Sequence, residues 1–110
     1  MKYTEGIRRV MLEELLISMG ADSSSTVFQY LVYAVKYASE SIDESGIVPS
    51  MHNIYQNVQR KYYISTGSLC TRIGNLRKGL YQDVAEKNSI DISSNSVFIF
   101  SLAGKYSSWK

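Results

Sequence analysis

The sequence predicts an all-α fold: one compact helical domain over residues 1–110, of about five helices that include a helix-turn-helix. Three observations predict it. Apolar residues recur at three- and four-residue spacing in successive segments, the period of a helix with one buried face. With 7 Gly and 1 Pro, the chain is too poor in turn formers for an all-β domain. Its 110 residues suit a single core and leave no room for two.

A first helix is expected over roughly Thr4 to Met19, with Ile7, Met11, Leu12, Leu15, Leu16 and Met19 at helical spacing. Thr4 caps its start, and Gly20 supplies a left-handed stop. After a polar connection over 21–25, a second helix runs from about Ser25 to Ser41. Its stripe is Val27, Phe28, Leu31, Ala34, Val35 and Ala38, widened by Tyr30, Tyr33 and Tyr37, so it belongs at the centre. Asp43-Glu44-Ser45-Gly46 ends it, and Pro49 keeps the chain extended before the next start. Ser50 caps a third helix that reaches about Tyr62, with Ile54, Tyr55, Val58 and Tyr62 inward. Ile64 to Gly67 form a short turn. A fourth helix begins near Thr66 or Ser68 and continues to about Glu86. Asn88 to Ser94 is a polar break. A last helix over about Asn95 to Tyr106 has Val97, Phe98, Ile99, Leu102 and Ala103 as its apolar set. Val97 to Phe100 is β-prone, so an edge strand is the alternative for that segment.

Composition narrows the function classes. Hydrophobic residues are 45% and charged residues 20%, as in ordinary globular proteins. No apolar run approaches the roughly 20 residues of a membrane span, and no secretory leader follows Met1. Neither a membrane nor an oxidising compartment is therefore expected, and the reading is cytoplasmic. One cysteine, Cys70, cannot form an internal disulfide or a Cys-rich zinc site, and one histidine, His52, cannot build a poly-histidine metal centre. Neither a metal nor a cofactor is expected. No convergent catalytic set exists either, so the chain does not read as an enzyme.

The net charge of +2 hides an asymmetry. Residues 1–59 carry four basic residues (Lys2 among them) against seven acidic, whereas 60–87 carry six basic against two acidic. From Ser45 to Gln82 there is no carboxylate at all. A basic stretch that excludes carboxylates suits a polyanionic partner, although a solvated face would look the same.

That stretch covers the third and fourth helices. Two helices joined by a turn of about four residues match the helix-turn-helix, whose second helix enters the major groove while the first crosses the backbone. At roughly 100° per residue, Leu69, Ile73, Leu76 and Leu80 of the fourth helix form one narrow stripe. The opposite face holds Thr71, Asn75 and Lys78, with Ser68 near its leading edge. Ser68, Thr71, Asn75 and Lys78 are the candidate base readers, and Arg60, Lys61, Arg72 and Arg77 the candidate phosphate contacts. Gly74 and Gly79 each cost about 1 kcal/mol of helix propensity relative to Ala. Gly74 lies toward the exposed side, where a missing side chain would admit a groove closely; a tolerated weak helix is the plainer reading.

Other residues carry less. Cys70 reads as a small flank residue and His52 as a surface residue or phosphate donor. Glu13-Glu14 and Asp43-Glu44 are solvated helix-end charges. Tyr62-Tyr63 beside Arg60-Lys61 would stack or hydrogen-bond at a nucleic acid, but packing is the favoured reading.

Met19-Gly20, Tyr30-Leu31 with Ala34-Val35, Ile54-Tyr55-Gln56-Asn57 with Val58, Arg60-Lys61-Tyr62 and Ile73, and the tail Asn95 to Ile99 with Leu102 to Lys105 together resemble one family. It is the C-terminal DNA-binding effector domain of the master sporulation response regulator of spore-forming bacteria. There the corresponding segments are an isoleucine-glycine helix end, a tyrosine-leucine helix, a leucine-tyrosine-proline-aspartate helix entering the helix-turn-helix, and a final helix. The resemblance spans roughly residues 12–106, mostly at core positions, and implies the fold more than the function.

Three departures matter. The chain begins at Met1 without the phosphorylatable receiver that precedes this module in the family, so control through its own aspartyl phosphate is not expected. The family's reading face of arginine, glutamate, arginine and histidine corresponds here to Ser68, Cys70, Thr71 and Asn75, so its operator does not transfer. The connection before the last helix is shorter than the family's, which has a helix there, so its dimer contact does not transfer either.

The sequence thus reads as a bacterial, sequence-specific DNA-binding transcriptional regulator with double-stranded DNA as partner. The alternative is a helical protein–protein interaction module that has lost DNA binding. One helix-turn-helix reads few base pairs, so a monomer or weak homodimer that pairs on DNA is expected. Its contact is expected in the C-terminal part, where Phe100, Tyr106 and Trp109 offer spare apolar area.

Overall fold

A computed structural model describes residues 3–110; Lys2, counted above in the N-terminal charge, lies outside them. Six helices follow in order: α1 Glu5–Ser18, α2 Thr26–Ser45, α3 Met51–Tyr62, α4 Thr66–Lys78, α5 Gln82–Lys87 and α6 Asn95–Ser108. Among the described residues there is no strand, and no helix is long and apolar enough to cross a membrane.

Local chemistry sets most boundaries. Thr4 accepts a hydrogen bond from the Ile7 amide, Ser50 from that of Asn53, Ser65 from that of Ser68 and Ser94 from that of Val97. Each satisfies one of the orphan amides of a first helical turn. α1 ends at Gly20, whose φ of +102° favours glycine, and the Ala21 amide reaches back to the Leu16 carbonyl. Gly46, at φ +71°, ends α2 four residues later than the periodicity suggests, and its amide donates to the Ile42 carbonyl at 2.8 Å.

α2 is the central element. It packs against α6, α3, α4 and α1 and buries Phe28, Leu31, Val32, Ala34, Val35 and Ala38. Even its one fully buried polar group, Ser39 Oγ, is paired, at 2.6 Å from Ser107 Oγ on α6. The β-prone run before Phe100 is helical. Ser94 caps its start, and Phe98, Ile99, Leu102, Ala103 and Tyr106 are buried, so tertiary packing outweighs the intrinsic strand preference.

Two features differ from the sequence expectation. The fourth helix stops at Lys78 instead of continuing to Glu86. Gly79 caps it, Leu80 turns into the core, and the Tyr81 amide donates to the Met19 carbonyl at 2.8 Å while its ring covers Gly20. That tie to the end of α1 breaks the helix and leaves α5 as a separate short one.

Gly74, expected on the exposed side, is buried. A Cβ there would lie 3.6 Å from Asn95 Oδ1, so the glycine seats α4 against the start of α6. At 3.6 Å a methyl group makes an ordinary contact, and Gly74 sits in a helix interior. Gly74→Ala is therefore expected to raise stability by up to about 1 kcal/mol. Urea denaturation checks this; a loss of 1 kcal/mol or more would mean that α4 and α6 are closer than described.

Candidate nucleic-acid interface

α3 and α4 are joined by only Tyr63, Ile64 and Ser65. Tyr63 closes α3 in the left-handed region (φ 55°) and is almost fully exposed, which lets the chain reverse so abruptly. Buried Ile54, Tyr55 and Val58 fix α3, and buried Leu69 and Ile73 fix α4, so the outward face of α4 is rigidly mounted.

That face carries Thr71, Asn75 and Lys78, all exposed and in line at four- and three-residue steps. Ser68, at the leading edge, is half-buried, and Arg72 is exposed beside the row. Arg72 and Asn75 also line a shallow groove of about 370 Å³ with Ser25, Thr26, Val27 and Leu76 at the start of α2. Arg60 and Lys61 are exposed in the last turn of α3. The structure thus brings together three base-reading candidates, with Ser68 at their edge, and sets Arg72 next to them.

The phosphate candidates divide. The ion pairs among the described residues are Lys36–Glu5 and Lys110–Asp43, so Arg60, Lys61, Arg72 and Lys78 have no carboxylate partner there. Arg77 is different. Its Nε donates to Asn95 Oδ1 at 2.9 Å and its Nη1 to the Ile92 carbonyl at 2.8 Å, in a half-buried position. This guanidinium is occupied with holding the loop before α6, not presented to a ligand. Lys61 leans inward, its ammonium 5.6 Å from the centre of the Tyr33 ring.

Asn95 is the residue that sequence reasoning missed. Besides accepting from Arg77, its Nδ2 donates to the Cys70 carbonyl at 3.0 Å and lies 3.5 Å from both the Tyr55 hydroxyl and Cys70 Sγ. One amide therefore ties α3, α4 and α6 together behind the exposed face. Burial is the main cause that pushes the Tyr55 phenol above its ordinary range, although the Asn95 hydrogen bond opposes it. In sequence Asn95 reads only as the first residue of a helix, and its partners lie 18 to 40 positions away.

His52 and Cys70 are both exposed, and the described residues contain no group of three metal-ligating side chains. The C-terminal aromatic residues are used internally. Tyr106 is 1% exposed, and Phe100 and Trp109 are partly buried against the core. Exposed apolar side chains gather on α1 instead, where Ile7, Val10 and Ile17 are each about half exposed, while α6 has Val97 near its start. Comparison with protein-family models, curated proteins and solved structures finds no match to this chain.

Proposed function

We propose that the chain is a sequence-specific DNA-binding transcriptional regulator in which α3 and α4 act as a helix-turn-helix. The observation that carries this reading is the outward face of α4. Its row of a hydroxyl, an amide and an ammonium (Thr71, Asn75, Lys78) supplies groups that pair with base edges and phosphates. No carboxylate stands on α3 or α4 to repel a phosphate backbone. Rigid packing behind the face fixes the geometry in which those groups would meet the groove.

With Arg77 set aside, Arg60, Lys61 and Arg72 remain for phosphates, and the Lys78 ammonium of the α4 row adds a fourth contact. Four such contacts give a log–log slope of affinity against salt of about −3.6 per copy, through counterion release. Fluorescence anisotropy on a labelled duplex over a salt series measures it. A flat response, or no binding at low salt, supports the second reading, an interaction module without DNA binding.

That second reading draws on α1. Ile7, Val10 and Ile17 fall within about 80° of arc on the side opposite buried Leu12 and Leu16. The stripe equally serves a regulator, by pairing two copies on adjacent half-sites. Antiparallel packing of two α1 helices would set Ile7 of one copy near Ile17 of the other. Val10 is half exposed and outside the core, so Val10→Glu is expected to leave the fold intact and reduce the complex from two copies to one. Sedimentation of the protein–DNA complex reads this directly. An unchanged stoichiometry would place the contact elsewhere.

A further inference from the structure

A cleft of about 220 Å³ lies between α1, α2 and α3, away from the row on α4. Three helices each send a cation to it: Arg9 from α1, Lys36 from α2 and Lys61 from α3. Lys36 is neutralised by Glu5, and the pairing lowers the Glu5 carboxyl and raises the Lys36 ammonium from their ordinary values. Neither Arg9 nor Lys61 has a carboxylate partner among the described residues. The cleft therefore keeps an uncompensated positive charge. Besides Glu5, Glu40 faces Lys36 from an adjoining hollow that shares Tyr33 and Lys36.

The walls are aromatic. Tyr33 and Tyr62 both line the cleft, their rings edge-on at 5.8 Å, and Tyr30 supports Tyr62 from behind at 4.9 Å. Lys61 rests over Tyr33, so its ammonium is held at the wall instead of sweeping through solvent. Gln29 adds an amide that can donate or accept. Charge, a neutral polar group and flat apolar walls thus converge on a space smaller than a drug-sized site.

We propose that this cleft binds a small organic anion, a single planar ring bearing a phosphate or carboxylate. The anionic group pairs with Arg9 and Lys61, where a charge-assisted hydrogen bond is stronger than a neutral one. The ring lies against Tyr33 and Tyr62, an arrangement that stacking favours over open solvent. Gln29 accepts or donates to a ring substituent. The groups of the α4 row take no part in this binding, and Lys61 is the one residue it shares with the DNA reading.

Titration of isotope-labelled protein by NMR, at physiological salt, tests the proposal. Phenyl phosphate and benzoate are the probes; inorganic phosphate supplies the charge without the ring, and benzyl alcohol the ring without the charge. The expected result is saturable binding of at least one ringed anion, with shifts confined to residues 9, 29, 33, 36, 61 and 62 and their neighbours. Lys61→Gln is expected to weaken it about tenfold, the loss of one charge-assisted hydrogen bond. Tyr33→Leu should bring the ringed anion down to the affinity of inorganic phosphate. Equal binding of ringed anion and inorganic phosphate by the unaltered protein would overturn the proposal. So would shifts spread to Arg72 and Lys78 on α4, which mark a diffuse counterion atmosphere, or the absence of saturation.

Discussion

Asn95→Leu is expected to destabilise the fold by about 1–3 kcal/mol, because it strips an acceptor from the half-buried Arg77 and removes the bonds that tie α6 to α4. The Arg77 Nε loses its acceptor, and the Cys70 carbonyl loses the donor it has beyond its own helix. An unpaired charged group in a partly buried site is costly, and the leucine branch restores neither bond. Asn95→Asp separates the contributions. A carboxylate still accepts from Arg77 but cannot donate to the Cys70 carbonyl, so its cost should be clearly smaller. Urea denaturation with an unchanged slope distinguishes this loss of bonds from a change in the denatured state. If leucine is tolerated within about 0.5 kcal/mol, the level of an ordinary surface substitution, the Asn95 hub is not what ties α6 to α4.

Asn75→Ala is expected to cost about 1–3 kcal/mol of affinity on a selected duplex and little on random DNA, as for the loss of a bidentate amide–adenine pair. Lys78→Ala should weaken both by similar factors and lower the salt slope by about 0.9, as for one lost phosphate contact. Both side chains are exposed and neither makes a side-chain hydrogen bond to the rest of the protein. Stability should therefore stay within about 0.5 kcal/mol of the parent, leaving affinity as the readout. Anisotropy on the two DNAs, run for both variants, separates reader from anchor. Identical behaviour of the two variants on both DNAs would contradict that division of roles.

Much of the fold was legible because its determinants are local. Thr4 and Ser50 cap where their hydroxyls and the following apolar period predict, and Gly20 stops α1 as its left-handed backbone requires. The stripes of α2 and α3 are buried as their spacing indicates, and the last segment is helical. The end of α4 was not legible. Leu80 continues the apolar stripe, so the period alone carries the helix past Gly79. What stops it is a hydrogen bond from Tyr81 to Met19, sixty-two positions away.

The candidate site divides along the same line. Exposure of Thr71, Asn75 and Lys78 follows from the angles of one helix, and it is found where those angles put it. Arg77 and Gly74 lie off that axis, and their surroundings are supplied by the start of α6. A cation bound to a loop carbonyl and a cation offered to a phosphate are spelled identically in sequence. Likewise, the apolar area of Tyr106 and Trp109 is read correctly as apolar but faces the core, with the Arg8 guanidinium over the Tyr106 ring.

Selection from a pool of random duplex DNA tests the central claim most directly. The parent protein and a variant with Thr71, Asn75 and Lys78 all changed to Ala are carried through the same rounds. The account predicts that the parent enriches a defined site, with two half-sites spaced about 10–10.5 base pairs or a multiple of that, which sets both copies on the same face of the duplex. The triple variant, with its core untouched, should enrich none. No enriched sequence for the parent, or the same site enriched by both proteins, would contradict reading by α4.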